Sequence, residues 1–143
     1  MTETKKPTAL FWVIAVVAIM WNIIGVLQYL GYAFMTDQEL NMYTTAEQEL
    51  ITGTPAWATA AFAIAVWFGI LGSIALLLKR KFAYPLFLLS LLGIIGQSIH
   101  TFFLSDYLDV MGTEGLILPV LVIVLGVVFF LYAKKATAEG ILK

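Results

Sequence analysis

Long apolar runs without a charge alternate with short polar links along this chain. The runs cover residues 7–36, 50–78, 82–105 and 115–133. About 20 helical residues cross a hydrocarbon core roughly 30 Å thick, so each run is long enough to span a membrane. Backbone amides in lipid must bond within their own segment, which favours helices over open strands. The pattern predicts an all-α, four-helix transmembrane bundle. The predicted spans lie near 8–32, 55–78, 82–104 and 115–133.

Charged residues are sorted between the two ends of the predicted helices. The links around 37–55 and 105–114 carry carboxylates and no Lys or Arg. All eight basic residues flank run ends that would share the other side: Lys5, Lys6, Lys79, Arg80, Lys81, Lys134, Lys135 and Lys143. Because Lys and Arg collect in cytoplasmic segments, both termini are predicted to be cytoplasmic and both acidic loops external.

Composition narrows the class of protein further. Apolar residues make up 62% of the 143 residues and charged residues 12%, against roughly 45–50% and about 25% in soluble domains. We therefore expect a single integral membrane domain over 1–143, whose first run is retained because it exceeds a signal-peptide core of about 7–15 residues. Without cysteine the chain has no thiol nucleophile or thiolate ligand. We expect no metal site, because one histidine without cysteine makes a poor zinc site. We also expect no cofactor and no nucleic-acid partner.

The first acidic loop carries helix-start signals. Thr36 with Glu39, and Thr45 with Gln48, have the spacing of a capping box. They predict a short amphipathic helix around 46–51 on the outer membrane surface. Thr54 followed by proline is a typical N-cap and first helical position, which predicts the start of the second span.

Glycines three residues apart recur in the second and third spans. Gly69 and Gly72 share one face of the second, Gly93 and Gly96 share one face of the third, and Gly25 lies in the first. Small residues let membrane helices approach closely, which predicts that these glycines are helix-packing surfaces. The alternative is that they leave room for a ligand. Six alanines between 56 and 65 predict that the second span is either the most buried helix or an oligomer face.

Polar residues that enter the spans lie almost entirely in the predicted outer halves. No Asp, Glu, Lys or Arg lies deep within a span, which argues against an ion-coupled pump. Helical residues three and four apart are neighbours, so Gln97, His100 and Thr101 share a face of the third span. These groups and nearby aromatic residues predict a ligand pocket that opens to the outside under the acidic loops. The candidate ligand-binding residues are Trp21, Asn22, Gln28, Tyr29, Tyr32, Trp57, Gln97 and His100.

Structural roles compete with ligand binding at several of these positions. Amides within membranes commonly form interhelical hydrogen bonds, which is the ordinary role for Asn22. A single histidine near a helix end usually bonds a neighbouring group, although the charge of His100 would change near neutral pH if it met a loop carboxylate. Trp57 lies near a span end, where tryptophan commonly anchors at the membrane interface.

Several motifs between residues 20 and 97 resemble an uncharacterised bacterial family of small four-span inner-membrane proteins, some of which are labelled "sugar transporter". The matching segments are Trp21-Asn22, Thr45-Ala-Glu-Gln48, Pro55-Ala-Trp57, Ala65-Val-Trp67, Gly69-Ile-Leu-Gly72-Ser, Leu76-Leu-Leu-Lys-Arg-Lys81 and Phe87-Leu-Leu-Ser-Leu91. The chain is also similar, more faintly, to DoxX-like four-helix proteins. These resemblances imply a bundle in the bacterial inner membrane.

Three classes of function compete for this sequence. The first is a non-catalytic membrane protein that packs against itself or a larger complex, or binds a lipid or apolar ligand between its helices. The alternative is a small oligomeric carrier for a neutral solute such as a sugar, which would need a symmetric dimer because four spans seldom enclose a transport path. An intramembrane enzyme would need a nucleophile, an acid–base pair or a metal, so we expect no enzyme. Membrane lipids and a homo-oligomer or larger membrane complex are the expected partners.

Overall fold

The structure is a computed structural model that describes residues 5–143, and within that range it contains helices and turns but no strand. The helices, in chain order, are α1 (Ala9–Ala33), α2 (Asp37–Leu40), α3 (Thr45–Thr52), α4 (Ala56–Leu77), α5 (Ala83–Ile99), α6 (Tyr107–Met111) and α7 (Ile117–Ala138). Four of them, α1, α4, α5 and α7, are long and apolar enough to cross a membrane. The predicted all-α four-helix membrane bundle is confirmed.

The short elements gather at one end of the bundle. A π-helical turn, His100–Leu104, extends α5, and a 3₁₀ turn, Thr113–Leu116, leads into α7. We call the end formed by these turns with α2, α3 and α6 the acidic end, because its loops carry carboxylates and no basic residue. The opposite end, which carries the described Lys and Arg residues of 5–143, is called the basic end.

The long helices pack in the order α1, α4, α5, α7. The α4–α5 contact is the most extensive, as the tight link at 79–81 predicts, and α4 is the most buried span. Close approach depends on small residues: a side-chain carbon added at Gly72 would lie 3.0 Å from the Phe87 ring, and one at Gly25 would lie 3.2 Å from Val66. Because glycine has no side chain at these positions, the helix backbones can approach closely. Dispersion attraction between closely packed helices then stabilises the bundle.

The first loop contains two capping boxes, and one of them differs from the prediction. The Thr36–Glu39 box is confirmed, since the Thr36 N–H donates to Glu39 Oε2 at 2.8 Å and the Glu39 N–H donates to Thr36 Oγ1 at 3.2 Å. The second box is formed by Thr44 and Glu47, so the prediction of Thr45 and Gln48 was wrong by one residue. Thr44 has the extended backbone that an N-cap requires, whereas Thr45 already lies in the first helical turn.

The start of α4 also differs from the prediction. Pro55, with its extended backbone, occupies the N-cap position, and Thr54 does not cap the helix. The Thr54 hydroxyl instead donates to the carbonyl oxygen of Leu50 at 2.9 Å. The reason is that α3 ends just before Thr54 and offers an unpaired carbonyl, so the hydroxyl ties α3 to α4.

A continuous apolar core closes the basic end. Phe11 of α1, Leu76 of α4, Phe87 of α5 and Phe129 of α7 are buried in one cluster. The chain beyond α7 completes it, because Leu142 is 1% exposed within the same cluster. Two backbone hydrogen bonds hold this tail against the α4–α5 link: the Lys143 N–H donates to Lys79 O at 2.9 Å, and the Lys81 N–H donates to Lys143 O at 3.1 Å. All four long helices are therefore fastened together at this end.

Candidate functional site

Two adjoining cavities occupy the half of the bundle nearer the acidic end. The loop cavity has a volume of about 320 Å³ and lies beneath α3 and α6, between Tyr43, Glu47 and Ile51 on one side and Phe62 and His100 on the other. The seam cavity has a volume of about 520 Å³ and lies where α1 and α7 face each other across α4 and α5. The two cavities share lining residues and so lie side by side, and we refer to them together as the joined cavities. The shared residues are Tyr32, Tyr43, Phe62, Gln97, Thr101 and Tyr107.

Six of the eight candidate ligand-binding residues line this space. The structure brings Trp21, Asn22, Gln28, Tyr32 and Gln97 together around the seam cavity, and His100 lies in the wall of the loop cavity.

The other two candidates lie outside both cavities and make aromatic contacts instead. The Tyr29 ring packs edge-on against Phe62 with centroids 5.4 Å apart, and Trp57 packs edge-on against His100 at 5.6 Å. Edge-to-face contacts of this kind stabilise packing between helices. Both residues therefore support residues that line the cavities, Phe62 in one case and His100 in the other.

Hydrogen bonds within the protein occupy the polar groups at the floor of the seam cavity. The Asn22 amide nitrogen donates to Ala18 O at 2.8 Å and to Ser73 Oγ at 3.0 Å, which joins α1 to α4. The Ser90 hydroxyl donates to Ala65 O at 2.6 Å, which joins α5 to α4. Buried polar groups bonded in this way hold membrane helices in register. The floor is a structural layer of the bundle.

Polar groups of the seam-cavity wall nearer the acidic end have no hydrogen-bond partner within the described part of the protein. Among residues 5–143, the side chains of Gln97, Ser98 and Thr101 make no hydrogen bond to protein, yet no fully buried polar side-chain atom is left unpaired. Their polar atoms therefore retain accessible surface, and all three residues line the seam cavity. Thr101 lies three residues after Ser98 and four after Gln97, and the three residues form one patch, at the end of α5 and the start of the turn that follows, that offers an amide and two hydroxyls. The patch can both donate and accept hydrogen bonds and carries no charge.

The π-helical turn that begins at His100 contains Thr101, one residue of this patch. The Ser105 hydroxyl donates to the carbonyl oxygen of Thr101 at 3.0 Å, so a side chain satisfies one carbonyl of the widened turn. Single π-helical turns often occur at functional sites. No glycine or proline lies within 97–104 to signal this turn, and sequence reasoning missed it.

Tyr107 closes the cavities from the acidic end and is also absent from the predicted site. Its hydroxyl donates to the carbonyl oxygen of Gly115 at 2.9 Å, which fixes the ring over the shared space. Burial raises the pKa of Tyr107, so the hydroxyl remains protonated at neutral pH. The neighbouring residues in 105–112 are typical of a polar turn. Only the aromatic side chain of Tyr107 itself could have indicated that this residue covers the cavities.

The cavity walls are almost free of charge. Glu47 is the one carboxylate among the described lining residues, and the Thr44 N–H donates to its Oε2 at 3.1 Å in the capping box. No Lys or Arg of residues 5–143 lines either cavity.

Comparison with protein-family models, with curated proteins and with solved structures gives no match. The chemistry of the cavity is the direct guide to function.

Proposed function

We propose that this protein is a non-catalytic membrane protein that binds a small, neutral, amphiphilic molecule in the joined cavities. The observation that carries the proposal is the patch of Gln97, Ser98 and Thr101, whose side chains face the cavity without a protein partner. Leaving such groups unpaired in an apolar site costs roughly 1–3 kcal/mol each. A bound molecule with hydroxyl or carbonyl groups would satisfy them.

The size and the chemistry of the cavities support a neutral amphiphile. Ligand sites commonly enclose about 300–1,000 Å³ and combine apolar walls with a few placed polar groups. Here Trp21, Phe62 and Ile94 supply apolar surface beside the polar patch. An anionic ligand would find no Lys or Arg in the described walls, and Glu47 would repel it at the rim.

A carrier for a neutral solute is the second candidate. The cavities lie toward the acidic end while the core around Phe11 and Phe129 closes the basic end. Such a one-sided site resembles one stage of alternating access. A carrier of this size would be a homodimer, and counterflow of a labelled sugar in proteoliposomes separates it from a binding protein, which would retain its ligand without translocation.

We expect the double variant Gln97→Leu/Thr101→Val to lose its ligand. The protein would be purified in lipid nanodiscs cut from its own membrane, and co-purified small molecules would be counted by native mass spectrometry. Two lost hydrogen bonds of about 1 kcal/mol each correspond to binding roughly 30-fold weaker. Gln38→Leu/Thr137→Val makes the same chemical changes away from both cavities and should keep the ligand. A wild-type protein with only water in its cavities would contradict the proposal.

The basic end is proposed to face the cytoplasm of a bacterial inner membrane. Its support is the sorting of Lys and Arg to that end and the family resemblance. Because the chain has no cysteine, single cysteines report sidedness cleanly. In intact cells with a permeabilised outer membrane, Gln38→Cys should react with a membrane-impermeant maleimide, whereas Glu139→Cys should react only after lysis. The reverse pattern would overturn the orientation.

A further inference from the structure

The helices α1 and α7 are held together only near the basic end. There the rings of Phe11 and Tyr132 lie 6.3 Å apart, and Lys5 Nζ lies 3.9 Å from a carboxylate oxygen of Glu139. The strong packing partners are α4 for α1 and α5 for α7. Nearer the acidic end, the seam cavity separates the two helices. The bundle therefore has a seam that is closed at one end and open along the other half.

The edges of this seam are apolar and exposed at membrane depth. Ile24 of α1 is 50% exposed and Leu118 of α7 is 46% exposed, yet both line the seam cavity. Both residues lie within helices that span the membrane, so the surroundings they are exposed to are lipid. A half-exposed residue that also lines a cavity marks the place where the cavity meets the outside. The seam cavity thus opens sideways into the bilayer.

Contacts between the short helices narrow the route from water. The helices α3 and α6 contact each other above the loop cavity. The Tyr32 hydroxyl, 3.4 Å from Ile51 O, links α1 to α3 on the same side. Tyr107 is fixed over the shared space by its bond to Gly115. Tyr43 is 45% exposed and Met111 is 40% exposed, and both line the loop cavity, so this end is narrowed rather than sealed. The seam differs from it in having apolar edges on spanning helices, which suit a hydrocarbon chain.

We propose that the ligand enters from the adjacent leaflet through the α1–α7 seam, and that it is a lipid with a neutral hydroxyl- or carbonyl-bearing head and a hydrocarbon chain. This inference rests on the proposed function. The head bonds to Gln97, Ser98 and Thr101, and the chain lies between Ile24 and Leu118 and continues into the leaflet. A chain in this position covers the exposed apolar edges while the head satisfies the polar patch.

The test uses a monoacylglycerol that carries a photoactivatable diazirine in its long chain. It is incorporated with the full-length protein into phosphatidylcholine vesicles, and adducts are mapped to peptides by mass spectrometry. We expect adducts on the segments that contain Trp21, Ile94 and Val122, which line the cavity. The variant Ile24→Trp/Leu118→Trp should reduce these adducts roughly tenfold, because the added rings obstruct the opening and fill the space that the lipid chain would occupy there. The smaller plug Ile24→Phe/Leu118→Phe should give an intermediate loss.

Matched variants distinguish obstruction of the seam from the general effects of a larger side chain. Ile23→Trp/Leu121→Trp adds the same side chains at exposed neighbours outside both cavities and should leave the cavity adducts unchanged. Met111→Trp narrows the water-side wall of the loop cavity and should also leave them unchanged. Adducts that persist in the seam variants and disappear in Met111→Trp would overturn lateral entry.

A short-chain, water-soluble diazirine ester of glycerol distinguishes this inference from the proposed function. If the short probe labels the cavity and the long-chain probe does not, the binding function stands and the lipid assignment fails. If neither probe labels the cavity and no molecule co-purifies, the proposed function fails as well. An anionic fatty acid with the same diazirine chain should label the cavity less than the monoacylglycerol, and stronger labelling by the acid would contradict a neutral head.

Discussion

Gly93→Ala is expected to destabilise the bundle by about 2–3 kcal/mol, because the added methyl group would force two helix backbones apart. A carbon at this position would lie 2.7 Å from the carbonyl oxygen of Ala61 and 2.7 Å from the amide nitrogen of Ala65. Those atoms belong to the backbone of α4 and cannot move aside as a flexible side chain can. The α4–α5 contact is the most extensive in the bundle, so its separation affects the whole fold.

Gly96→Ala is the matched control, one turn further along the same helix face. Its added carbon would lie 3.4 Å from the Ala61 side chain, which is an ordinary van der Waals distance. Alanine also favours a helix over glycine by up to about 1 kcal/mol. Gly96→Ala should therefore be neutral or slightly stabilising. Unfolding in mixed micelles, followed by circular dichroism, measures both variants, and equal destabilisation of the two would refute the close-packing account.

Gly69→Ala is expected to cost about 2 kcal/mol by displacing a buried amide. The added carbon would overlap Asn22 Oδ1 and would lie 3.2 Å from Ser90 Oγ. Asn22 cannot rotate away without losing its hydrogen bond to Ser73, at 3.0 Å, and that bond joins α1 to α4. The substitution therefore breaks the polar layer beneath the seam cavity as well as crowding it.

A double-mutant cycle tests this cause directly. Asn22→Ala removes the obstructed oxygen, so Gly69→Ala should cost about 1 kcal/mol less in that background than in the wild-type protein. Gly31→Ala, on α1 with no heavy atom within 4 Å of its added carbon, should be neutral or stabilising. Strictly additive costs for Asn22→Ala and Gly69→Ala would show that crowding of the amide is not the reason.

The sequence predicts the helices well because charge and hydropathy act locally. Uninterrupted apolar runs define four spans, and Thr36 with Glu39 marks a cap that the structure contains. The second cap was misplaced by one residue, because Thr44 and Thr45 are both suitable residues and only the backbone decides between them. Gly93 and Gly96 look alike in the sequence, and only the distance to α4 distinguishes a forbidden methyl group from a tolerated one.

The candidate site was predicted less completely, because it depends on how neighbouring helices pack. Helical spacing places Gln97 and Thr101 on one face, and both line the joined cavities. Spacing within a helix does not reveal which neighbouring helix stands apart, so Leu118 and the opening beside it could not be predicted. Helical spacing from Asn22 predicts Tyr29 in the pocket, and Trp57 is predicted as part of its wall, whereas the rings of these residues pack against Phe62 and His100.

The tail beyond α7 has a consequence for the order of folding during synthesis. Phe11 leaves the ribosome long before Leu142, yet both belong to one buried cluster. Local contacts form before contacts between distant parts of a chain. The α4–α5 hairpin can assemble early, while the basic end must wait for residues 141–143 before it closes. Until then, the nascent bundle exposes the Phe11 surface to whatever chaperone or insertase accompanies it.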